Sequence, residues 1–282
     1  MRGMRELRFG TAGIPLCAKG KSTVEGIMEV RRLGLDAMEL EFVRGVHMKE
    51  AVAKEAGAVA RSLNVTLTAH GPYYINLNSN ERAKVEASVK RIVETARIAF
   101  LAGGYSITFH AAYYGKSSKE ETYRRVKESL ERVVKQLSDE GVKIWVRPET
   151  TGKRSQFGDL EEVIKLSEEL EMVMPCIDFA HLHARRGGAY NSYEDFSEVL
   201  ALVEERLGKE ALEEMHIHVS GIEYGEKGEV RHLNLEESEF KYLDLIMAFK
   251  DFGIKGVVIS ESPNIEGDAL LLKKIYLEVS RA

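Results

Sequence analysis

Cysteine is nearly absent. Cys17 and Cys176 lie far apart and lack CxxC spacing, so neither a disulfide framework nor a thiolate zinc site is indicated, and any metal must use histidine and carboxylate. Proline is scarce, with 5 in 282 residues, and no Pro- or Ser-rich linker interrupts the chain. Residues 1–282 therefore read as one domain, of a length that α/β barrels routinely reach. Long apolar runs are also missing. The longest, such as "GVVIS" and "RIAFLAGG", fall far short of a membrane span, and "MRGMRELRFG" lacks the apolar core of a signal peptide. These features predict a cytoplasmic protein that does not engage a membrane. No sign of charge dominates. A net charge of −5 argues against a broadly basic nucleic-acid binder, although a local patch or bound divalent cations reverse the field inside a cleft.

What the chain does have is an eightfold alternation. Short β-rich runs at "LRFG" (7–10), "AMELEF" (37–42), "VTLTAH" (65–70), "SITFH" (106–110), "KIWVRPE" (143–149), "MVMPCID" (172–178), "MHIHVS" (215–220) and "GVVISE" (256–261) are separated by longer helical patterns. Ser22 with Glu25 and Ser117 with Glu120 have capping-box spacing, in which a hydroxyl and a carboxylate satisfy free N–H groups at a helix start. Gly104, Gly141, Gly253 and Gly256 punctuate the returns to strand. Eight strand–helix units predict an α/β fold, a (β/α)8 TIM barrel, over an open doubly wound sheet.

Barrels of this kind build their chemistry at the C-terminal strand ends. The third strand ends at His70, the fourth at His110, the fifth at Glu149, the sixth at Asp178 with His181, the seventh at His218 and the eighth at Glu261. A single such histidine is usually a hydrogen-bonded core or loop residue. Six consecutive strand ends carrying metal-capable side chains point instead to shared cations. Imidazole and carboxylate donors suit Zn²⁺, Mn²⁺ or Fe²⁺. His216 and His218 lie two apart on one strand face; His218, nearer the strand end, is the expected ligand, and His216 an inward polar residue or a donor orienting one. Glu39 and Glu41 on the second strand read as charges satisfied near the barrel rim.

In order and spacing, "TAHGPYYINL" (68–77), "ITFHAAYYGK" (107–116), "RPETTGKRSQFG" (147–158), "CIDFAHLHA" (176–184), "IHVSG" (217–221) and "ISESP" (259–263) resemble the signature segments of the endonuclease IV family. These are metal-dependent apurinic/apyrimidinic endonucleases within the xylose-isomerase-like barrels. The resemblance covers nearly the whole chain. It implies that His70, His110 and Glu149 surround one zinc ion, that Glu149 bridges to a second held by Asp178, His218 and Glu261, and that His181 belongs to a third. It also implies damaged double-stranded DNA as partner, cleavage on the 5′ side of an abasic site, and trimming of blocked 3′ ends. Paired divalent ions would lower the pKa of the attacking water and neutralise the leaving oxygen, with Glu149 the central catalytic residue. Tyr73 is then a candidate probe of the gap in the base stack, its alternative being a packing residue. Arg44, Lys153 and Arg154 are candidate phosphate contacts. A monomer is expected.

One departure from the family stands out. The third ion of the family is held by a strand-six histidine and an Asp-x-His pair; here "GIEYGEKGEVRHLNLEE" places His232 at the histidine and Val230 at the aspartate. Either Glu229 swings in, or the third ion has only His181, His232 and water. The expectation is two tightly held ions and a looser third. Two other readings stay open: a sugar isomerase or epimerase of the same superfamily, which typically needs fewer histidines, and a non-catalytic damage-binding homologue.

Overall fold

The structure, a computed structural model, describes residues 4–280. In chain order it runs β1 (Leu7–Ala12), α1 (Thr23–Arg32), β2 (Ala37–Glu41), α2 (Glu50–Ser62), β3 (Thr66–His70), α3 (Arg82–Leu101) and β4 (Ser106–Phe109). The short β5 (Ala112–Tyr113) precedes α4 (Lys119–Asp139), β6 (Trp145–Pro148), β7 (Gln156–Phe157), α5 (Leu160–Glu169), β8 (Ile177–Asp178) and α6 (Phe179–Arg185). Then come α7 (Tyr193–Leu207), α8 (Lys209–Leu212), β9 (Met215–Val219), a hairpin of β10 (Gly221–Gly225) and β11 (Gly228–Leu233), α9 (Tyr242–Asp251), β12 (Gly256–Ser260) and α10 (Glu266–Val279).

Eight of the strands form one parallel sheet in the order β6, β4, β3, β2, β1, β12, β9, β8. Its two ends meet. The N–H of Cys176 donates to Pro148 O at 3.1 Å and that of Thr150 to Cys176 O at 3.0 Å, a parallel bridge between Glu149 and Cys176 that closes the barrel. The expected eight-stranded α/β barrel is therefore present. The sixth strand is shorter than the run 172–178, because regular pairing covers only Ile177 and Asp178 while Val173 and Cys176 are held by single bridges.

Helix starts follow local chemistry. Ser22 and Glu25 form the expected capping box at α1. At α4 the cap is Ser118, whose side chain accepts from Glu121 N, and not Ser117; both serines have a glutamate three residues on, and the turn in which Ser117 N donates to Tyr114 O sets the phase. The buried residues Val126, Leu130, Val133 and Leu137 of α4 recur at helical spacing and form the stripe that faces the barrel.

The strands alternate, so residues two apart share a face. On the inward faces this produces an unusually polar interior. Arg147, Ser106, His216, Glu39, Thr68 and Thr108 are all essentially buried. Arg147 Nη1 donates to Pro175 O at 2.9 Å and the same guanidinium reaches Glu214 O, at the start of β9. Above it, Ser106 Oγ lies 2.8 Å from His216 Nδ1, and Thr68 Oγ1 donates to Glu39 Oε2 at 2.7 Å. The next layer, at the strand C-termini, is the candidate site. No helix among the described residues is long and apolar enough to cross a membrane.

Candidate metal centre

The donors come from the C-terminal ends of β3, β4, β6, β8, β9 and β12, where inward-facing positions carry them. His70 closes β3 and Asp178 closes β8, whereas His110, Glu149 and Glu261 each stand one residue beyond β4, β6 and β12. Glu149 is the hub. Its Oε2 lies 3.2 Å from His70 Nε2; its Oε1 lies 3.2 Å from His110 Nε2, 3.1 Å from His181 Nδ1 and 3.5 Å from His218 Nδ1. Four overlapping donor groups form among the described residues: His70, His110 and Glu149; Glu149, Asp178, His218 and Glu261; Asp178, His181, His232 and Glu261; and, deeper in the barrel, His216 and His218 with the thiol of Cys176, which the sequence reading sets aside. All eight sequence-expected ligands are thus brought together.

The ring orientations are held from behind. His70 Nδ1 donates to Gly71 O at 2.8 Å, which leaves Nε2 toward Glu149. His181 Nδ1 lies 3.0 Å from Thr150 O, and His232 Nδ1 lies 3.2 Å from Glu261 O. With both Nδ1 atoms turned to carbonyl oxygens, the two Nε2 atoms face each other at 3.1 Å. His218 Nε2 approaches Glu39 Oε1 to 2.9 Å, turning Nδ1 toward Glu261 Oε1 at 3.3 Å. Carboxylates placed behind imidazoles in this way fix the orientation of metal-binding rings.

Glu39 corrects the sequence reading. It is not a rim charge but is wholly buried inside the barrel, between His216 Nε2 at 3.0 Å and His218 Nε2. The alternation "AMELE" shows an inward pair of glutamates, yet the cross-barrel imidazoles that face Glu39 come from β9, far along the chain, and no local pattern reveals them. Glu41 is nearer the mouth: it lines a cavity of about 380 Å³ together with Tyr73, His70, His110, His181, Glu229, His232 and Glu261. Arg185 is a second residue that sequence reasoning missed. From the end of α6 its guanidinium donates to the carbonyls of Thr151, Lys153 and Gln156 and to the Tyr114 hydroxyl, and so shapes the loop beside the cavity.

The electrostatics are those of crowded, buried carboxylates. Burial favours neutral Glu149, yet the charges of His110 and His218 outweigh it and hold its carboxyl well below the usual range. Burial likewise works against a charged His70, but Glu149 beside it pushes the imidazole up to about 10. Burial raises Asp178 to about 6, with Glu261 and Glu149 adding to the effect. Glu41 is pushed up to about 8 by burial and by the charge of Glu39. His216, desolvated between these groups, falls to about 4 and stays neutral. Buried donors such as Asp178 Oδ2 and His218 Nδ1 have no hydrogen-bond partner. Unpartnered buried oxygens and nitrogens are costly unless a cation completes them, so the residues fit divalent metal.

Other expectations sort by place. Tyr73 stands 61% exposed at the cavity mouth with its ring 6.0 Å from that of His70. Arg44, Lys153 and Arg154 are exposed and do not line the cavity; Arg154 Nε donates to Arg185 O. His183 is buried away from the cluster against Tyr224 and Phe240. Of the two alternatives at the third site, the geometry lies nearer the one that brings in Glu229. Val230 is 58% exposed, whereas Glu229 Oε2 lies 3.6 Å from His181 Nε2.

The profile of the family described as "Xylose isomerase-like TIM barrel" matches residues 27–276. The chain belongs to this family. Within the xylose isomerase-like TIM barrels, it is 49% identical over 273 residues to an uncharacterised protein of Methanocaldococcus jannaschii, covering 97% of this chain and 98% of that one. It is 24% identical over 204 residues to a probable endonuclease 4 of Mycoplasma pneumoniae, covering 70% and 68%. Among solved structures, endonuclease IV from Thermus thermophilus superposes with a TM-score of 0.70 at 21% identity, covering 95% and 99%. A D-tagatose 3-epimerase-like protein superposes with a TM-score of 0.73 at 18% identity, covering 96% and 98%. At such identities the superpositions establish the fold, which both activities share.

Proposed function

We propose that this protein is a metal-dependent apurinic/apyrimidinic endonuclease that hydrolyses the DNA phosphodiester 5′ to an abasic site. The observation that carries the reading is the sharing of carboxylates: Glu149 belongs to two donor groups, and Asp178 and Glu261 to two. Shared carboxylates are what closely spaced cations need, and one ion has no use for so many donors. His70, His110 and Glu149 would hold one ion, Glu149 with Asp178, His218 and Glu261 a second, and His181 with His232 a third, with zinc the best match to the donor set. When bound, such ions lower the pKa of water and neutralise charge on the leaving oxygen.

The chain's own residues supply the rest. Glu149 sets the separation of the first two groups and draws four histidines onto its two oxygens. Glu39 keeps Nδ1 of His218 pointed into the cluster. Tyr73, exposed at the mouth, would meet the base stack where a base is missing, and the exposed Arg44, Lys153 and Arg154 would contact backbone phosphates.

A second reading is a sugar epimerase, and Glu41 favours it: a carboxyl on the cavity wall with one oxygen lacking a partner suits a neutral polyol better than an anionic phosphate. One assay separates the two. Full-length protein is incubated with a duplex carrying an abasic analogue and, in parallel, with a panel of ketohexoses, with and without prolonged chelation. Chelator-sensitive nicking is expected. A fully metal-loaded protein that leaves several abasic duplexes intact would rule out the nuclease, and epimerised sugar would establish the alternative.

A further inference from the structure

We infer that a β-bulge at Val230 turns Glu229 into the group formed by His181 and His232, so that the third cation takes its carboxylate from residue 229. The inference rests on the metal-dependent reading above and supplies the ligand that reading lacks. Along a regular strand Val230 and His232 would share a face and Glu229 would point the other way. The hairpin of β10 and β11 is not regular. His232 pairs with Ile222 and Arg231 with Glu223, but the next pair is Glu229 with Tyr224. Val230 is left without a partner, the two-against-one count of a bulge, which re-aims the side chains beyond it. The parity inverts: Val230 goes to solvent at 58% exposure, and Glu229 comes to the face of His232.

The two rings face each other and each Glu229 oxygen stands near one of them. His181 Nε2 and His232 Nε2 are 3.1 Å apart; Glu229 Oε2 is 3.6 Å from the first, and Oε1 is 4.0 Å from the second. Ligand atoms about 2.0–2.2 Å from a zinc ion stand roughly 3–4 Å from one another. Asp178 and Glu261 are also close, but they approach the opposite nitrogens, Nδ1 of His181 at 3.3 Å and Nδ1 of His232 at 3.8 Å. Those nitrogens already face backbone carbonyls. Glu229 approaches both Nε2 atoms, one oxygen to each ring.

A second feature holds Glu229 in place. Glu229 N donates to Gly152 O at 3.1 Å, and Lys153 and Gly228 form an antiparallel bridge. A Cβ on residue 152 would lie 2.6 Å from Glu229 Cβ and 3.0 Å from His181 Cδ2. Only glycine lets the carboxylate lie over the imidazole, so Gly152 is a positioning residue of the same site.

The test is a metal titration that needs no substrate. Chelator-stripped full-length protein is titrated with Zn²⁺ against a chromophoric competitor, and with Co²⁺ followed by its visible absorption. Three equivalents are expected for the native chain. Glu229→Gln should weaken one of them by at least about tenfold, the loss typical of disturbing a metal site, and leave the other two unchanged. Gly152→Ala should do the same. Val230→Asp should neither tighten the native third site nor restore it in the Glu229→Gln background, because residue 230 faces solvent. Retention of the third equivalent in Glu229→Gln, its rescue by Val230→Asp, or a native chain that takes up only two ions would overturn the inference while leaving a metal-dependent enzyme intact. A native chain that binds no divalent ion would instead overturn that reading, and this inference with it.

Discussion

Glu39 Oε1 approaches His218 Nε2 to 2.9 Å, while the other oxygen of the same carboxylate accepts from Thr68 Oγ1 and stands 3.0 Å from His216 Nε2. One buried carboxylate therefore couples the polar interior of the barrel to the cluster at its mouth. Glu39→Gln preserves shape and the Thr68 contact but removes the negative charge behind His218. Metal affinity of the group containing His218 should fall by about 10- to 100-fold, the usual effect of losing such a supporting carboxylate. Competitive metal titration checks this, and unchanged affinity would reduce Glu39 to a packing role.

Glu149→Gln should leave the barrel folded by circular dichroism and abolish chelator-sensitive nicking. The amide cannot supply negative charge to His70, His110, His181 and His218 together. A loss under about tenfold, equal to about 1.4 kcal/mol, would show that Glu149 is not central to the reaction.

The chelated protein should lose stability as pH rises above neutrality. His70 is raised from 6.5 to about 10 and Glu41 from 4.5 to about 8, so the fold binds both protons more tightly than the unfolded chain does. Their contributions are complete below the unfolded values and disappear as pH passes through about 8 and then about 10. Melting temperature measured in chelator should fall across this window. Zinc-loaded protein should show the opposite slope on its acid side, since protons compete for the same nitrogens. A flat profile in chelator would mean that the site relaxes when metal is removed.

Arg185→Met should loosen the segment from Thr151 to Gln156. The change removes the side-chain donor of the Thr151 and Gln156 carbonyls, while Lys153 O keeps the Gln156 N–H at 3.0 Å, at a cost of about 2–5 kcal/mol in unfolding free energy. Hydrogen exchange should quicken in that loop first. Protection equal to the native chain would show that β7 and the hairpin hold the loop without Arg185.

The residues of the cluster are legible in the sequence because they depend on local rules. Alternation along a strand sets which side chains point inward, and the punctuation after each run marks where the strand stops; His70, His110, Glu149, Asp178, His218 and Glu261 follow from those two facts. The box at Ser22 is equally local, and the cap falls at Ser118, one residue from the expected Ser117, because two serines offer the same spacing. What tertiary structure decided are the relationships that depend on pairing partners distant in the chain. Glu39 is a rim charge or a buried support according to what β9 and β3 bring against it. Glu229 rather than Val230 faces His232 because the hairpin partner skips one residue, and a one-residue slip in pairing reverses every side chain beyond it. A sequence carries period and composition, but the phase of a bulged strand is set only when the opposite strand is in place.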